Sequence, residues 1–273
     1  MQPITVLSIA GSDSGGGAGI QADLRTFSAF GVHGTTALTA VTAQNTVGVS
    51  ALQIIDPDIV TAQILAVVSD FQVLAVKTGM LAQPSTIEEV ARLANEGFLP
   101  HLVVDPVLVS STGHSLMHDG GIEIYLDVLL RHAEIVTPNL REAALLCGVD
   151  VRDIKHHNDM AALADIILGF GPTYVLVKGG HYAEQSLTED HAPDILAGRG
   201  EVLVFDAERV VTVNDHGTGC SLSAAIAAGL GLGRSVPDAT RDAKSFVLAA
   251  LKGAASWRLG QGRGPIDHLG WGP

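Results

Sequence analysis

Short apolar runs alternate with longer stretches of helical period along the whole chain. Ile4 to Ala10 has strand length, breaks at Gly11-Ser12-Asp13-Ser14-Gly15-Gly16-Gly17-Ala18-Gly19, and is followed by Ile20, Leu24, Phe27 and Phe30 at helical spacing. His33 to Thr42 predicts a β-branched strand running into Ala43-Gln44-Asn45-Thr46, with another strand near Val49 to Ile55. Asp56-Pro57 opens a helix of about twelve residues, Val73 to Val76 is a strand closed by Lys77-Thr78-Gly79-Met80, and Pro84-Ser85-Thr86 starts a helix towards Asn95. His101 to Val104 predicts a buried strand ending in Asp105-Pro106, after which Val107-Leu108-Val109 leads into the polar loop Ser110 to His114. A helix near Ile122 to Arg131 precedes the strand Glu134 to Val136, and Asn139 with Glu142 three positions on has the spacing of a capping box. Asp159 to Leu168 is helical, and the apolar strand Tyr174 to Val177 stops at Lys178-Gly179-Gly180-His181. Asp194 to Ala197 and Glu201 to Phe205 predict short antiparallel edge strands, and Asp238 to Leu259 a last long helix.

This alternation predicts an α/β protein in which helices cover both faces of a mostly parallel sheet, a three-layer α/β/α sandwich with an antiparallel edge. No repeat, linker or internal boundary interrupts residues 1–273, so one domain is expected. Ligands of such sheets gather outside the carboxyl ends of the strands, where Asp13, Gln44, Met80 and Asp105 all fall.

Composition narrows the partners. A formal charge of −13 argues against nucleic acid or an anionic membrane surface. Two cysteines in different elements give no disulfide framework and fit a reducing, cytoplasmic setting. No apolar run approaches the ~18 residues a membrane helix needs. The histidines lack H-E-x-x-H or C-x-x-C spacing, so no structural zinc site is expected. Neither G-x-G-x-x-G nor G-x-x-x-x-G-K-[ST] occurs, which removes the fingerprint an NAD-dependent oxidoreductase would need.

The richest chemistry is in Asn214-Asp215-His216-Gly217-Thr218-Gly219-Cys220-Ser221, a polar turn leading into the small-residue helix Leu222 to Leu230. Gly217 and Gly219 allow several N–H groups to converge at a helix N-terminus, where an anion is favoured. Cys220 in that position reads either as a base or nucleophile with a favoured thiolate, or as a small packed side chain beneath a Thr218 cap. Gln44 offers a donor and an acceptor in one plane, as an aminopyrimidine edge requires, although glutamines at strand ends commonly face water. Lys178 can act as a point charge for a polyphosphate or snorkel to the surface. Asp23 lies in the first turns of a helix, where a carboxylate supports the dipole without further function. Asn139 and Glu142 need no role beyond capping, though hard oxygens beside a phosphate suit Mg²⁺ through its retained waters.

Seven segments stand together in order: Ala10 to Asp23, Ala43 to Thr46, Thr78 to Leu81, Asp105 to Val107, Thr137 to Asn139, Lys178 to His181 and His216 to Cys220. Their sequence resembles the hydroxymethylpyrimidine/phosphomethylpyrimidine kinase family of thiamine biosynthesis, in the ribokinase-like superfamily, over nearly the whole chain. The resemblance implies a ribokinase-like fold and two successive transfers of the γ-phosphoryl of MgATP, first to the hydroxymethyl group and then to the resulting monophosphate. It implies that Gln44 reads the pyrimidine edge, with Gly11, Asp23, Met80 and Val107 lining the same pocket. Lys178, Asn139, Thr137 and Asp105 carry over to ATP, and Glu142 with Asp105 to Mg²⁺. Gly217, Thr218 and Gly219 become the anion hole, with Cys220 where sugar kinases of the superfamily place a catalytic aspartate. A homodimer is also implied. Ser110-Ser111-Thr112-Gly113 departs from the family, which often has a lysine before Ser-Gly there, and Asp267-His268 replaces its paired histidines. Two alternatives stand beside this reading. A pyridoxal or pyridoxine kinase shares the hydroxymethyl chemistry, and a catalytically silent pyrimidine-binding regulator would have no need of Lys178 and Cys220.

Overall fold

The central strands read as unbroken apolar runs because both of their faces are covered. The structure is a computed structural model describing residues 3–108, 121–180 and 190–272. The loop Ser110 to His114 and His181 lie outside the described residues. The strands are β1 (Thr5–Asp13), β2 (His33–Gln44), β3 (Val49–Ile54), β4 (Val73–Thr78), β5 (Leu102–Val104), β6 (Ile135–Val136), β7 (Tyr174–Lys178), β8 (Asp194–Gly198) and β9 (Glu201–Phe205). They form one sheet in the order β3-β2-β1-β4-β5-β6-β7-β8-β9, parallel from β2 through β7 and antiparallel at both ends.

The helices are α1 (Gly19–Ala29), α2 (Pro57–Val68), α3 (Pro84–Asn95), α4 (Gly121–Ile124), α5 (Leu140–Cys147), α6 (His157–Leu168), α7 (Thr218–Gly231) and α8 (Val236–Ala254). On one face Ile9, Val76, Val104, Val136 and Val177 pack against Ile64 of α2, Ile87 of α3, Leu140 of α5 and Met160 of α6. On the other, Val6, Ala75, Val103, Ile135 and Leu176 meet Phe27 of α1, the alanines of α7 and Val247 of α8. Helix α7 is covered nearly all round, so its residues are small: a methyl at Gly229 would lie 2.8 Å from Ala239 Cβ, and one at Gly231 3.1 Å from Val6 Cγ2.

Three elements differ from the pattern. The helix expected near Ile122 to Arg131 is one α-turn that widens into a π-helical Tyr125–Leu129 and tightens into a 3₁₀ turn at Leu130–His132. Tyr125, Leu129 and Leu130 are all buried, a set spread over about 140° of a regular helix, and the changed pitch gathers them onto the core. Strands β1 and β2 run further than their apolar cores, because parallel pairing continues through Asp13↔Thr42 past an irregularity at Ala10/Ser12. Asp13 and Gln44 are thereby held by the sheet. Helix α8 begins at Val236 because Ser235 caps it, accepting from Asp238 N at 3.3 Å, with Pro237 in the first turn.

Among the described residues one ion pair is wholly enclosed. Lys77 Nζ donates to Asp23 Oδ2 and Oδ1 at 2.8 and 2.9 Å, Ser8 Oγ donates to Oδ2 at 2.5 Å, and neither charged side chain touches solvent. Burial disfavours charge on Lys77, but Asp23 and its neighbours outweigh it and hold the ammonium above its ordinary pKa. Lys77→Met should destabilise the fold by about 3–5 kcal/mol in urea titrations by stranding the carboxylate, whereas Lys77→Met with Asp23→Leu should cost far less. Equal losses would show that the two charges are not a pair.

Candidate active site

Six parallel strands end on one side of the sheet, which brings their last residues together. At its centre is Asp105, following β5. Its Oδ1 accepts from Lys178 Nζ at 3.0 Å and from Thr137 Oγ1 at 3.3 Å, while Oδ2 accepts from Ser223 Oγ of α7 at 3.1 Å. Burial opposes charge on Lys178, but Asp105 and Glu142 prevail and raise its pKa. Asn139 and Glu142 form the expected capping box: Asn139 Oδ1 accepts from Glu142 N at 3.0 Å, and Asn139 N donates to Glu142 Oε2 at 2.8 Å. Burial pushes the Glu142 carboxyl up to about 7, with Lys178 opposing and Asp105 adding to the rise.

The turn into α7 completes this half of the site. Gly217 is the N-cap at φ 85, a left-handed conformation, and a Cβ there would fall 1.8 Å from Gly17 O. Only glycine permits that approach. Thr218 N donates to Asp215 O and Ser221 N to Gly217 O, whereas the N–H groups of Gly219 and Cys220 have no acceptor among the described residues. A Cβ at Gly219 would lie 3.3 Å from Lys178 Nζ. Two open amides at a helix N-terminus therefore stand beside an ammonium, and an anion fits there.

Cys220 corrects one expectation. Burial pushes its thiol up to about 11, with Lys77 and a hydrogen bond from Gly19 N only partly opposing. Desolvation outweighs the helix end, so the sulfur is a thiol at neutral pH.

The glycine loop after β1 is also differently employed. Asp13 Oδ1 accepts from Gly15 N at 2.8 Å, and Oδ2 from Gly17 N and Ala18 N at 3.0 and 2.9 Å. The loop is wrapped around the protein's own carboxylate. Burial works against the charge on Asp13, yet His216 and these amides hold its pKa below the usual range. Gln44, at the end of β2, touches Thr42 Oγ1 and His216 Nε2, both at 3.2 Å. Gly11 and Met80 meet as neighbours, since a Cβ at Gly11 would lie 2.6 Å from Met80 Cε. Val107 is held at φ 44, a costly geometry for a β-branched residue. Asp23 is fully buried on Lys77 and Ser8 and offers no surface to a ligand in this state.

Sequence reasoning passed over four residues here. His216 joins both loops, Ser223 braces Asp105, and the charge of Lys77 opposes the rise in the Cys220 pKa. The hydroxyl of Tyr125 is buried without a partner among the described residues, in the field of Asp105 and Glu142. Lys77 had a usable signal, an apolar strand ending in lysine, the same one that marked Lys178.

Open amides, a paired lysine and acids at the carboxyl edge of a ribokinase-like sheet define a phosphotransferase acting on small molecules. The family model described as phosphomethylpyrimidine kinase matches residues 13–267. The hydroxymethylpyrimidine/phosphomethylpyrimidine kinase of Rhizobium meliloti (strain 1021) is 48% identical over 264 residues, 96% of each chain. That of Streptomyces coelicolor is 46% identical over 269 residues, covering 98% of this chain and 95% of the relative. Among solved structures, the Bacillus subtilis pyridoxal kinase in its ADP complex superposes with a TM-score of 0.86 at 37% identity over 98% of both chains. The phosphomethylpyrimidine kinase of Clostridium difficile 630 gives 0.78 at 39% identity, over 91% of this chain and 99% of that one. The chain belongs to the phosphomethylpyrimidine kinase family.

Gly217→Ala should separate the two glycine loops. Turnover of ATP with substrate should fall at least about a hundredfold and stability by about 1–3 kcal/mol, read from steady-state kinetics and thermal unfolding. Retained turnover would show that the approach of Gly217 to Gly17 is dispensable.

Proposed function

We propose that this kinase transfers the γ-phosphoryl group of MgATP to the hydroxymethyl oxygen of 4-amino-5-hydroxymethyl-2-methylpyrimidine, and then a second phosphoryl to the monophosphate, yielding the pyrophosphate used in thiamine biosynthesis. The observation that carries this reading is the pair of open amides on Gly219 and Cys220 facing Lys178, joined through His216 to Gln44. Gln44 is assigned to the aminopyrimidine edge, with Gly11, Met80 and Val107 around it and Asp23 supporting them through Lys77. Thr137, Asn139 and Lys178 are assigned to ATP.

The chemistry follows from positioning. Phosphoryl transfer needs charge stabilised on three equatorial oxygens, which the Gly219 and Cys220 amides and Lys178 supply from fixed positions. Mg²⁺ is assigned to Asp105 and Glu142 through waters. The donor set fits, since two hard carboxylates and the buried Tyr125 hydroxyl suit a hydrated hard cation. When bound, the ion would draw charge off the phosphates. Cys220 is assigned as the acceptor of the hydroxyl proton, a role open only to its thiolate.

A homodimer is part of this proposal, supported by exposed Val41, Val47, Val49 and Leu52 along the β2–β3 edge. The unpaired thiols of Cys147 and Cys220 support a cytoplasmic setting. No helix among the described residues is long and apolar enough to cross a membrane. The second reading is a pyridoxal kinase, favoured by the pyridoxal kinase structures that superpose on the chain. ATP consumption measured across the hydroxymethylpyrimidine, its monophosphate, pyridoxal and pyridoxine decides between them, and preference for the pyridine substrates would overturn the main reading.

Cys220→Ala should lower turnover about 10²–10⁴-fold while leaving the pyrimidine KM nearly unchanged. Because the thiol titrates near 11, the wild-type rate should climb about tenfold per pH unit between pH 7 and 10 if its thiolate is the base, and the Cys220→Ala rate should stay flat. Parallel profiles would remove Cys220 from the proton transfer. Gln44→Ala should raise the pyrimidine KM by about tenfold and leave that for ATP alone. Equal effects on both would contradict the edge-reading role.

A further inference from the structure

His216 has no part in the transfer described above, yet its ring joins the loop after β1 to the end of β2. Its Nε2 stands 3.0 Å from Asp13 Oδ2 and 3.2 Å from Gln44 Nε2. A carboxylate only accepts, and three backbone amides already donate into Asp13, so the ring nitrogen facing it carries a proton and donates it. The same nitrogen then has no lone pair for the amide NH₂ of Gln44. Thr42 presents the mirror conflict. Its single hydroxyl proton goes to Ser12 O at 2.8 Å, which leaves Thr42 Oγ1 an acceptor towards Gln44 Oε1 at 3.2 Å. Both neighbours ask for the opposite end of the amide. Half a turn about the terminal bond of Gln44 removes both conflicts: the carbonyl shares with Asp13 the single Nε2 proton of His216 in a three-centre bond, and the NH₂ donates to Thr42.

We propose that His216, seated on Asp13, is a positioning residue that fixes which way round the Gln44 amide faces and hence which way round the substrate ring is held. A primary amide has two acceptor sites and two donor sites. His216 and Thr42 occupy one of each, which leaves one lone pair and one N–H for a ligand. An aminopyrimidine presents a ring-nitrogen acceptor beside an exocyclic NH₂ donor, so it pairs with that remaining couple in one sense only. With the amide reversed, the ring must turn over to pair, and its hydroxymethyl arm then points the other way. The ring of His216 is itself constrained, because a Cβ on Gly17 would lie 2.5 Å from His216 Cδ2. The loop that wraps Asp13 thus also locates the imidazole. This inference rests on the assignment of Gln44 to the pyrimidine.

The test has one arm on the free protein and one on turnover. In wild-type protein with Gln44 labelled at its side-chain nitrogen, nuclear Overhauser contacts from the amide protons to Thr42 support the orientation, and contacts to the His216 ring overturn it. His216→Phe should double or broaden the Gln44 amide signals and lower kcat/KM for the pyrimidine about fivefold, the worth of one neutral hydrogen bond. The ATP KM should not move, and His216→Gln, which keeps an N–H donor, should restore most of the loss. A fall in melting temperature with equal damage to the pyrimidine and ATP constants, unrescued by His216→Gln, would reduce His216 to packing and overturn the proposal. Should the wild type not phosphorylate the pyrimidine, the Overhauser arm decides alone: contact with Thr42 upholds the amide orientation and faults only the substrate assignment.

Discussion

One buried carboxylate, Asp105, ties the ends of three strands and a helix to a single point. It takes the ammonium at the end of β7, the hydroxyl after β6 and a hydroxyl of α7, so the distance between the sheet and the helix N-terminus is set by hydrogen bonds as well as by apolar packing. Charge alone would not do this. Lys178 is nearly enclosed, and without an internal anion its desolvation would favour the neutral amine, which could not hold a phosphate. The protein supplies the counter-ion first and leaves the open amides of α7 for the ligand.

The two glycine stretches meet at the approach of Gly217 to Gly17 but serve opposite purposes. The loop after β1 spends its amides on Asp13, an anion the chain carries itself, whereas the turn before α7 keeps two amides unbonded among the described residues. The resulting field is asymmetric: a closed, already neutralised nest lies against an open one. An incoming anion is thereby directed to the α7 side, and the β1 side contributes rigidity. The cysteine between them has a raised pKa because the partial burial that comes with this packing disfavours the thiolate.

Much of this was legible in the residues, and the limits have physical causes. Apolar runs marked the strands because a parallel sheet covered on both faces allows little else, and Asn139 with Glu142 announced a cap that the backbone indeed forms. The π-helical turn at Tyr125 was not legible, since helical period cannot distinguish a regular helix from one whose pitch is altered to bury three side chains. Nor was the raised thiol pKa of Cys220. A helix terminus is visible in sequence, but the depth at which the fold places it is a tertiary quantity, and here depth dominates. His216 escaped notice for a related reason: its partners Asp13 and Gln44 are some two hundred and 172 residues away in sequence, and only the convergence of strand ends makes them neighbours.

The small residues of α7 carry one more implication. A methyl group at Gly229 would overlap Ala239 and one at Gly231 would press on Val6, so the helix is closely packed at the end remote from the site. Ten residues of α-helix span about 15 Å, and a rigid rod held at one end transmits any tilt at that end to the other. A change to the packing of Gly229 would therefore be felt as a displacement of the amides at Gly219 and Cys220, and this molecule can lose catalytic precision through substitutions that never approach its ligands.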